Sequence, residues 1–419
     1  MVTKRPELGA WLARRAHERR AARRERSRRA LEPRPGARVA RDGREWVDFS
    51  SNDYLGLARH PEVVSALARG AARWGAGSGA SALVTGYGPA HRALEEALAD
   101  FLGRERVLLF SSGWLANLAV AASLAGRGDT IVQDRLCHAS LIDAARLSGA
   151  RLVRHAHADT ASLARRLDAL GDERPCLVVT DGVFSMDGDL APLGETARLA
   201  AQAGAWLVVD DAHGIGTLGP GGRGAVAAAG LGPGDVPVLV GTLGKAFGAA
   251  GAFVAGGADL VEHLVNEGRS YLFTTAPPPA VAEAARAALR IVRGEPERRE
   301  ALARNIAAFR RAARREGLCL GGSESAIQPV VVGASGTALA VAARLEDAGF
   351  LAVPIRPPTV PRGTARLRIA LSAAHRAADI EALVDALAGA LAAEGVDPRS
   401  VGGRPAGRGT PADAAEAIP

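Results

Sequence analysis

The sequence predicts an α/β protein with a mainly parallel sheet of seven strands in a large domain, followed by a smaller α+β domain. Seven short apolar runs carry the first part of this prediction, at residues 106–110, 130–133, 151–154, 176–180, 205–210, 238–241 and 252–255. Segments rich in alanine and leucine lie between several of these runs. Nearly continuous apolar strands that alternate with helices are typical of a parallel sheet covered on both faces. The second observation is a change of pattern after the three prolines at 277–279.

The segments after residue 279 predict the smaller α+β domain. A long helical stretch runs to about residue 316, and the later segments alternate: strand-like at 327–332, helix-like at 337–348, strand-like at 350–355 and 366–371, and helical at 380–394. We therefore expect a basic helix and arm at residues 1–48, a large α/β domain at 49–285 and a small domain at 286–395. Residues 396–419 lack periodicity and are expected to form a disordered tail.

The chain of 419 residues is long enough for a large core, since 48% of its residues are hydrophobic. Three widely spaced cysteines indicate neither a disulfide framework nor a zinc cluster, and we expect no metal site. No apolar stretch is long enough to cross a bilayer, and no apolar segment follows Met1 as in a signal peptide. We expect a cytoplasmic protein without a membrane partner.

The positive charge of the chain is confined to its start. The formal net charge is +7, of which residues 1–45 contribute +9 and the remainder −2. Arginines recur there at helical spacing, which predicts an amphipathic helix that packs Trp11, Leu12 and Ala16 inward. An arm that binds nucleic acid is the alternative. Because the basic charge is local, we expect no nucleic-acid partner.

Lysine is rare in this chain, and one of its lysines has an unusual setting. Of 52 lysines and arginines, only Lys4 and Lys245 are lysines. Lys245 lies in the glycine-framed segment 241–248, directly after an apolar run. Arginine does not lose its proton near neutral pH and so cannot form an imine, whereas lysine can. We predict a chemical role for Lys245; the alternative is a lysine that merely survived a bias toward arginine.

A second group of reactive side chains, Asp210, Asp211 and His213, follows the buried run 205–210. A buried carboxylate is costly unless it meets a cation or a hydrogen-bond donor. Ligands of parallel sheets bind at the carboxyl ends of the strands, which is where these residues lie. The strand end is therefore a candidate site.

Two nucleotide-binding motifs are excluded. Residues 214–219 match G-x-G-x-x-G, but Pro220 and a run of glycines follow where that motif must open a helix. The pair Gly244-Lys245 is not a P-loop, because Ala246 stands where serine or threonine is needed.

Asp210 and Lys245 together fit a site for pyridoxal 5'-phosphate. This cofactor needs a lysine for a Schiff base and an acid on its pyridinium nitrogen. Its phosphate needs hydrogen-bond donors, and Ser111-Ser112-Gly113-Trp114 ends the first strand and opens a helix, whose free N–H groups suit an anion. An ordinary helix cap is the alternative for this turn alone.

Several independent segments resemble a known family. They are FSSNDYLGL at 49–57, GSG at 77–79, VTGY at 84–87, HASL at 138–141, GVFSMDG at 182–188, DDAHG at 210–214, GTLGKAFG at 241–248, IRPPTVP at 355–361 and GTARLR at 363–368. With these segments, residues 26 to 390 resemble the α-oxoamine synthases, a fold-type-I family of pyridoxal-phosphate enzymes. The resemblance implies an aspartate-aminotransferase-like fold, this cofactor and a homodimer.

The resemblance also implies roles for matching residues. Lys245 would hold the cofactor covalently and move the substrate α-proton, Asp210 would pair with the pyridinium nitrogen, and His138 would stack on the ring. The other implied cofactor ligands are Ser185, His213, Thr242 and the backbone amides of Gly113 and Trp114. The implied substrate ligands are Asn52 and Arg368 for the amino-acid carboxylate, and Thr359 and Arg26 for the acyl thioester, with Arg28 and Arg29 as alternatives to Arg26.

The activity implied by the resemblance is that of an acyltransferase that joins an amino acid to an acyl thioester with loss of carbon dioxide. Segments 84–87 and 356–359 look most like the family member of biotin biosynthesis, whose substrates are L-alanine and pimeloyl-CoA or pimeloyl-acyl carrier protein. The alternative is a sister synthase, of the glycine C-acetyltransferase, 5-aminolevulinate synthase or serine palmitoyltransferase type.

Overall fold

In a computed structural model, the chain is described over residues 7–171 and 175–402, without the side chains of residues 175 and 176. The strands within these ranges are β1 (Glu32–Arg34), β2 (Arg38–Arg41), β3 (Arg44–Asp48), β4 (Arg106–Phe110), β5 (Thr130–Asp134), β6 (Arg151–His155), β7 (Pro175–Asp181), β8 (Trp206–Asp210), β9 (Val238–Thr242), β10 (Ala252–Gly256), β11 (Ile327–Gly333), β12 (Phe350–Leu351), β13 (Pro354–Ile355) and β14 (Ala365–Ala370).

The helices over the same ranges are α1 (Leu8–Ala21), α2 (Pro61–Trp74), α3 (Pro89–Leu102), α4 (Gly113–Leu124), α5 (Ala139–Ser148), α6 (Thr160–Asp168), α7 (Leu193–Gln202), α8 (Ala225–Ala228), α9 (Ala258–Glu267), α10 (Arg269–Leu272), α11 (Pro279–Gly294), α12 (Pro296–Arg315), α13 (Ser335–Asp347) and α14 (Ala377–Ala393). A π-type turn spans Ala82–Gly86, and single 3₁₀ turns span Pro220–Gly222 and Pro398–Ser400. None of the helices of the described residues is both long and apolar enough to cross a membrane.

The seven predicted strands form one sheet, in the order β4-β10-β9-β8-β7-β5-β6. Strand β10 is antiparallel to both of its neighbours, and the other pairs are parallel. Side chains of β8 alternate between two cores: Leu207 and Val209 belong to one and Val208 to the other. Burial on both faces explains why these strands are apolar almost throughout. The prediction of a mainly parallel seven-stranded sheet is confirmed.

The carboxyl-terminal part contains a separate antiparallel sheet of order β11-β14-β13. Helices α13 and α14 contact each other, and α13 contacts this sheet. The predicted strand at 350–355 is in fact two strands. Phe350–Leu351 pairs in parallel with β3, whereas Pro354–Ile355 pairs with β14. A four-stranded sheet, β1-β2-β3-β12, therefore joins the amino-terminal arm to the carboxyl-terminal part.

Two predictions near the termini need correction. Residues 8–21 do form the expected helix, but Trp11 and Leu12 are 41% and 47% exposed, and α1 buries none of its side chains within the chain. The inward packing of this helix is thus wrong for the single chain, because no element within residues 7–171 and 175–402 covers its apolar side. The tail predicted from residue 396 also begins too early: Val401 is fully buried and its carbonyl accepts from the N–H of Val331. Residues 403–419 lie outside the described residues.

Candidate active site

The candidate site lies at one edge of the large sheet, where five strands end. Ser112 follows β4, His138 follows β5, Ser185 follows β7, Asp210 ends β8 and Lys245 follows β9. The parallel strands among these run in one direction, so their carboxyl ends meet at the same edge. Tertiary structure therefore brings together predicted residues that are far apart in sequence.

A hydrogen-bonded chain leads from the lysine into the protein. Lys245 Nζ lies 2.7 Å from Nε2 of His213, and Nδ1 of His213 lies 2.7 Å from the Tyr54 hydroxyl. That hydroxyl donates to Oδ1 of Asn52 over 3.0 Å. Because the Tyr54 proton goes to Asn52, Tyr54 accepts from Nδ1–H of His213, and Nε2 is left to accept from Lys245.

Burial lowers the pKa of both Lys245 and His213 and so favours their neutral forms. Burial, followed by the charge of Arg368, lowers the pKa of Lys245 to about 8, although Asp210 opposes the shift. Burial, followed by the nearby positive charges of Lys245 and Arg368, lowers the pKa of His213 well below its usual range. His213 is therefore a neutral acceptor for the lysine at physiological pH.

Asp210 is buried and hydrogen-bonded to neutral donors. Its Oδ2 accepts from Asn117 Nδ2 at 2.7 Å, and its Oδ1 accepts from the N–H of Ala212 at 3.1 Å. Asn117 Nδ2 also lies 2.8 Å from Ser140 Oγ. A buried carboxylate with only neutral donors of this kind leaves its charge available to a cation, which fits a pyridinium nitrogen.

His138 begins α5 beside Asp210. Its Nδ1 lies 2.8 Å from Ser140 Oγ, and its backbone N–H donates to Oδ2 of Asp181 at 2.9 Å. The ring meets Trp114 edge to face, with centroids 6.4 Å apart. Burial, with the charge of Lys245, lowers the pKa of His138 although Asp210 opposes the shift, so its neutral ring suits stacking on a flat cofactor.

Arg368 is held in place by neutral oxygens. Its Nε donates to the carbonyl of Ser185 at 2.6 Å, and both terminal nitrogens donate to Asn52 Oδ1 at 3.1 Å. Arg366, two residues earlier on β14, instead pairs with the Asp187 carboxylate. Both guanidinium groups are buried, and Arg368 has no acid partner among the residues that the structure describes, so it suits the carboxylate of a substrate.

The start of α4 offers a place for the phosphate of the cofactor. Ser112 caps this helix, accepting from the N–H of Leu115 at 3.4 Å. A Cβ added at Gly113 would meet nothing within 4 Å, so the first turn borders open space. Thr242 Oγ1 donates to the carbonyl of Gly251 at 3.0 Å and accepts from the N–H of Gly244, which fixes its position at the end of β9. Free N–H groups at the start of a helix fit a phosphate.

The structure separates two of the three arginines considered for the acyl thioester, Arg26 and Arg29. Arg26 donates to Thr359 Oγ1 at 3.2 Å. Arg29 instead forms an ion pair with Glu346. Arg356 donates to the carbonyl of Glu25 at 3.0 Å and also to that of Arg23, so the segment after α1 contacts the loop after β13. Thus Arg26 and Thr359 lie together, while their role in substrate binding stays a prediction.

Several residues of the site were missed in the sequence. Asn117 lies inside an apolar helix with no motif around it, and only the structure reveals that it supports Asp210. Tyr54 lies in segment 49–57, one of the segments that resemble the family, but this resemblance did not predict the contact of Tyr54 with His213. Asp211 faces away from the pocket: its Oδ2 accepts from the N–H of Ala225 at 2.6 Å, and burial raises its pKa to about 8.

Comparisons with known proteins give the family of the chain. Residues 44–387 match the family model described as aminotransferase class I and II. The chain is 57% identical over 368 residues to 8-amino-7-oxononanoate synthase of Methylococcus capsulatus, covering 88% of this chain and 95% of that protein. It is 56% identical over 378 residues to the enzyme of that name in Pseudomonas putida, covering 90% and 96%.

A solved structure extends the comparison to the cofactor. It is a variant serine palmitoyltransferase from S. paucimobilis with a bound PLP–myriocin aldimine, with a TM-score of 0.88, 31% identity, and coverage of 93% of this chain and all of that one. The predictions of the fold, of pyridoxal phosphate as cofactor and of a transferase are confirmed. The chain belongs to the aminotransferase class I and II family of pyridoxal-phosphate enzymes and, within it, groups with the 8-amino-7-oxononanoate synthases.

Proposed function

We propose that this enzyme condenses L-alanine with a pimeloyl thioester, releasing carbon dioxide, the free thiol carrier and 8-amino-7-oxononanoate. The observation that carries the reaction type is the buried amine of Lys245, 2.7 Å from neutral His213 and in one pocket with Asp210 and Arg368. The choice of substrates is supported by identities of 55–57% to curated proteins named 8-amino-7-oxononanoate synthase.

When bound, the cofactor would supply an electron-withdrawing ring that stabilises negative charge at the α-carbon of the amino acid. Lys245 holds the cofactor and then takes and returns the proton at that α-carbon. A pKa of about 8 leaves part of its amine unprotonated near neutral pH, as a general base needs. His213 accepts a hydrogen bond from the amine and fixes its direction.

Arg368 and Asn52 are proposed to bind the amino-acid carboxylate. The guanidinium is already oriented by the Ser185 carbonyl and by Asn52, so little ordering is needed when the substrate arrives. Asp210 is proposed to keep the cofactor nitrogen protonated, with Asn117 holding one of its carboxylate oxygens. The donors proposed for the phosphate are the Gly113 and Trp114 amides and Thr242, whose hydroxyl proton would turn from the Gly251 carbonyl to the phosphate.

The acyl thioester is proposed to approach along the contact between Arg26 and Thr359. Their 3.2 Å hydrogen bond is exposed, so an anionic ligand can compete for the guanidinium. Coenzyme A and acyl carrier protein are both anionic, and both are kept as carriers in this proposal.

We also propose that the enzyme works as a homodimer. Leu83, Val84 and Phe273 are 52–73% exposed, and the turn Ala82–Gly86 contacts α10, which Phe273 follows directly. A group of large exposed apolar side chains of this kind is typical of an association surface. A second copy of the chain would bury them.

A direct assay tests the proposed reaction. The purified holoenzyme is given L-alanine, glycine or L-serine, each with pimeloyl-CoA, acetyl-CoA or palmitoyl-CoA, and products are identified by mass. We expect rapid formation of 8-amino-7-oxononanoate from L-alanine and pimeloyl-CoA, and none with Lys245→Ala. Preferred turnover of glycine with acetyl-CoA, or of L-serine with palmitoyl-CoA, would instead establish a sister synthase.

A further inference from the structure

A half-buried histidine outside the cofactor pocket links two carboxylates. Nδ1 of His157 lies 3.1 Å from Oδ1 of Asp134, and its Nε2 lies 2.9 Å from Oδ2 of Asp189. Ionised carboxylates only accept hydrogen bonds, so both ring nitrogens donate and the ring is a cation. Burial alone would lower the pKa of His157, but the two carboxylates outweigh it and raise the pKa to about 10. The link is therefore charged at physiological pH.

The two carboxylates belong to different parts of the protein. Asp134 ends β5 and also accepts from the N–H groups of Leu136 and Ala158, each at 2.7 Å. It is thus an anchor fixed to the large sheet. Asp189 belongs to the loop 183–190, which is closed by a bridge between its first and last residues. His157 therefore connects this loop to the end of β5.

A ring contact strengthens the same attachment. The His157 ring meets Phe184 edge to face, with centroids 4.3 Å apart, and Phe184 is fully buried. The N–H of Phe184 donates to the carbonyl of Asp189 at 3.0 Å. Charge, packing and the backbone thus hold both ends of the segment 184–189.

This segment carries Ser185 into the site. The Ser185 carbonyl accepts from Nε of Arg368 at 2.6 Å, and this bond, with Asn52, directs the guanidinium. Two further contacts hold the segment on its other side. Arg366 forms an ion pair with Asp187, and Ser323 Oγ donates a hydrogen bond to the Gly188 carbonyl at 2.9 Å. The position of Ser185 therefore depends on attachments that lie outside the pocket.

We propose that His157 is a positioning residue for amino-acid binding. By joining Asp189 to Asp134, it sets the position of Ser185 and, through Ser185, the orientation of Arg368 toward the substrate carboxylate. This inference rests on the proposed function only in assigning the carboxylate to Arg368.

The test uses a variant that weakens the contact between the loop and His157 but leaves His157 paired with Asp134. Asp189→Asn removes the negative charge that the loop presents to His157, while His157 stays paired with Asp134 and Asp187 stays paired with Arg366. The matched control is Asp379→Asn, a carboxylate of similar exposure (14% against 22%) that pairs with Arg38 and Arg376 on and beside α14, away from the His157 contact. His157→Gln is a second, harsher variant, because it leaves two carboxylates facing each other.

The main readout is the dissociation constant of L-alanine, from titration of the visible absorbance of the holoenzyme without thioester. For Asp189→Asn we expect it to rise roughly tenfold, the scale of one disturbed charge-assisted hydrogen bond, while KM for the thioester stays within about twofold. Asp379→Asn should lower the melting temperature and leave the dissociation constant unchanged.

Two results would overturn the proposal: an unchanged dissociation constant in Asp189→Asn, or equal losses for alanine and thioester. If the wild-type holoenzyme responds to another amino acid and not to L-alanine, the proposed function fails. The positioning role is then decided by the same comparison of variants with that amino acid.

Discussion

The amine of Lys245 and the imidazole of His213 lie 2.7 Å apart, and neither has a carboxylate as its hydrogen-bond partner. A lysine paired with an acid would stay protonated, whereas this lysine donates to a neutral ring that is held by Tyr54. Its pKa of about 8 follows first from burial. The pair thus keeps the lysine close to its reactive, uncharged form.

Replacement of Lys245 should abolish the reaction. We expect Lys245→Ala to lose at least 10²–10⁴-fold in turnover, because a positioned acid–base group is worth about that much and the covalent hold on the cofactor is lost as well. Borohydride reduction followed by peptide mass analysis should find the cofactor on Lys245 in the wild type only. The matched control is Lys4→Ala, which replaces the other lysine of the sequence and should retain activity and cofactor.

Capture of the cofactor should depend on pH with a midpoint near 8. Below that pH the Lys245 amine is mostly protonated, so the rate of covalent capture by apoenzyme should rise about tenfold per pH unit and level off above 8. Stopped-flow absorbance between pH 6 and 10 measures this rate. A lysine in a short peptide, with its ordinary pKa, is the reference. A rate that keeps rising to pH 10, as in the peptide, would contradict the lowered pKa.

Arg368→Lys should weaken amino-acid binding selectively. A lysine cannot reproduce the fork that contacts Asn52 and the Ser185 carbonyl, so we expect KM for L-alanine to rise about 10–100-fold with a smaller change for the thioester. Arg104→Lys is the control, since Arg104 is equally buried (7%) and donates to the Val236 carbonyl. Steady-state kinetics of both variants would refute the assignment if their alanine KM values were alike.

Asn117→Ala should reduce affinity for pyridoxal phosphate by roughly tenfold. The variant removes the amide that donates to Asp210 and leaves that buried carboxylate with one neutral donor fewer. Equilibrium dialysis of the cofactor measures the effect. Ser123→Ala, on the same helix, removes only a bond to the Ala119 carbonyl and should bind the cofactor normally. Equal affinities in the two variants would show that Asn117 is dispensable.

Val84→Asp should separate the proposed dimer. Val84 is 72% exposed in the single chain, so a carboxylate there costs little in a monomer but is expensive when buried in an interface. Light scattering should give about twice the 43.1-kDa chain mass for the wild type and the single mass for the variant. Val64→Asp, at an exposed position of α2, is the control. A wild-type monomer, or a Val84→Asp dimer, would exclude this surface.

The sequence predicted the large sheet well because burial on both faces leaves a local pattern. Residues of β8 are apolar at successive positions, and all seven strands were located to within a residue or two. The small sheets were predicted less well. The segment 350–355 is apolar and continuous, yet it divides between two sheets, and for β12 that choice depends on partners 303 residues away in sequence.

Candidate site residues could be read from the sequence where chemistry restricts the residue type. A lysine among arginines, an acid that ends a buried strand and a serine-glycine turn are local signals, and they identified Lys245, Asp210 and the start of α4. The contacts that these residues make with other side chains could not be predicted from such local signals. Asn117 and His157 have no distinctive local pattern, and the motif that contains Tyr54 does not predict its contact with His213. Each of the three acts through a partner at least 23 residues distant.

By itself, the sequence determined the fold class, the cofactor and the reactive groups, because apolar periodicity and the chemistry of single side chains are local properties. Only the tertiary structure decided which nitrogen of His213 faces Lys245, which arginine meets Thr359, and that α1 leaves its apolar side uncovered. Hydrogen-bond partners and pKa values arise where distant segments exclude water together. That exclusion exists only once the sheet has brought its strand ends to one edge.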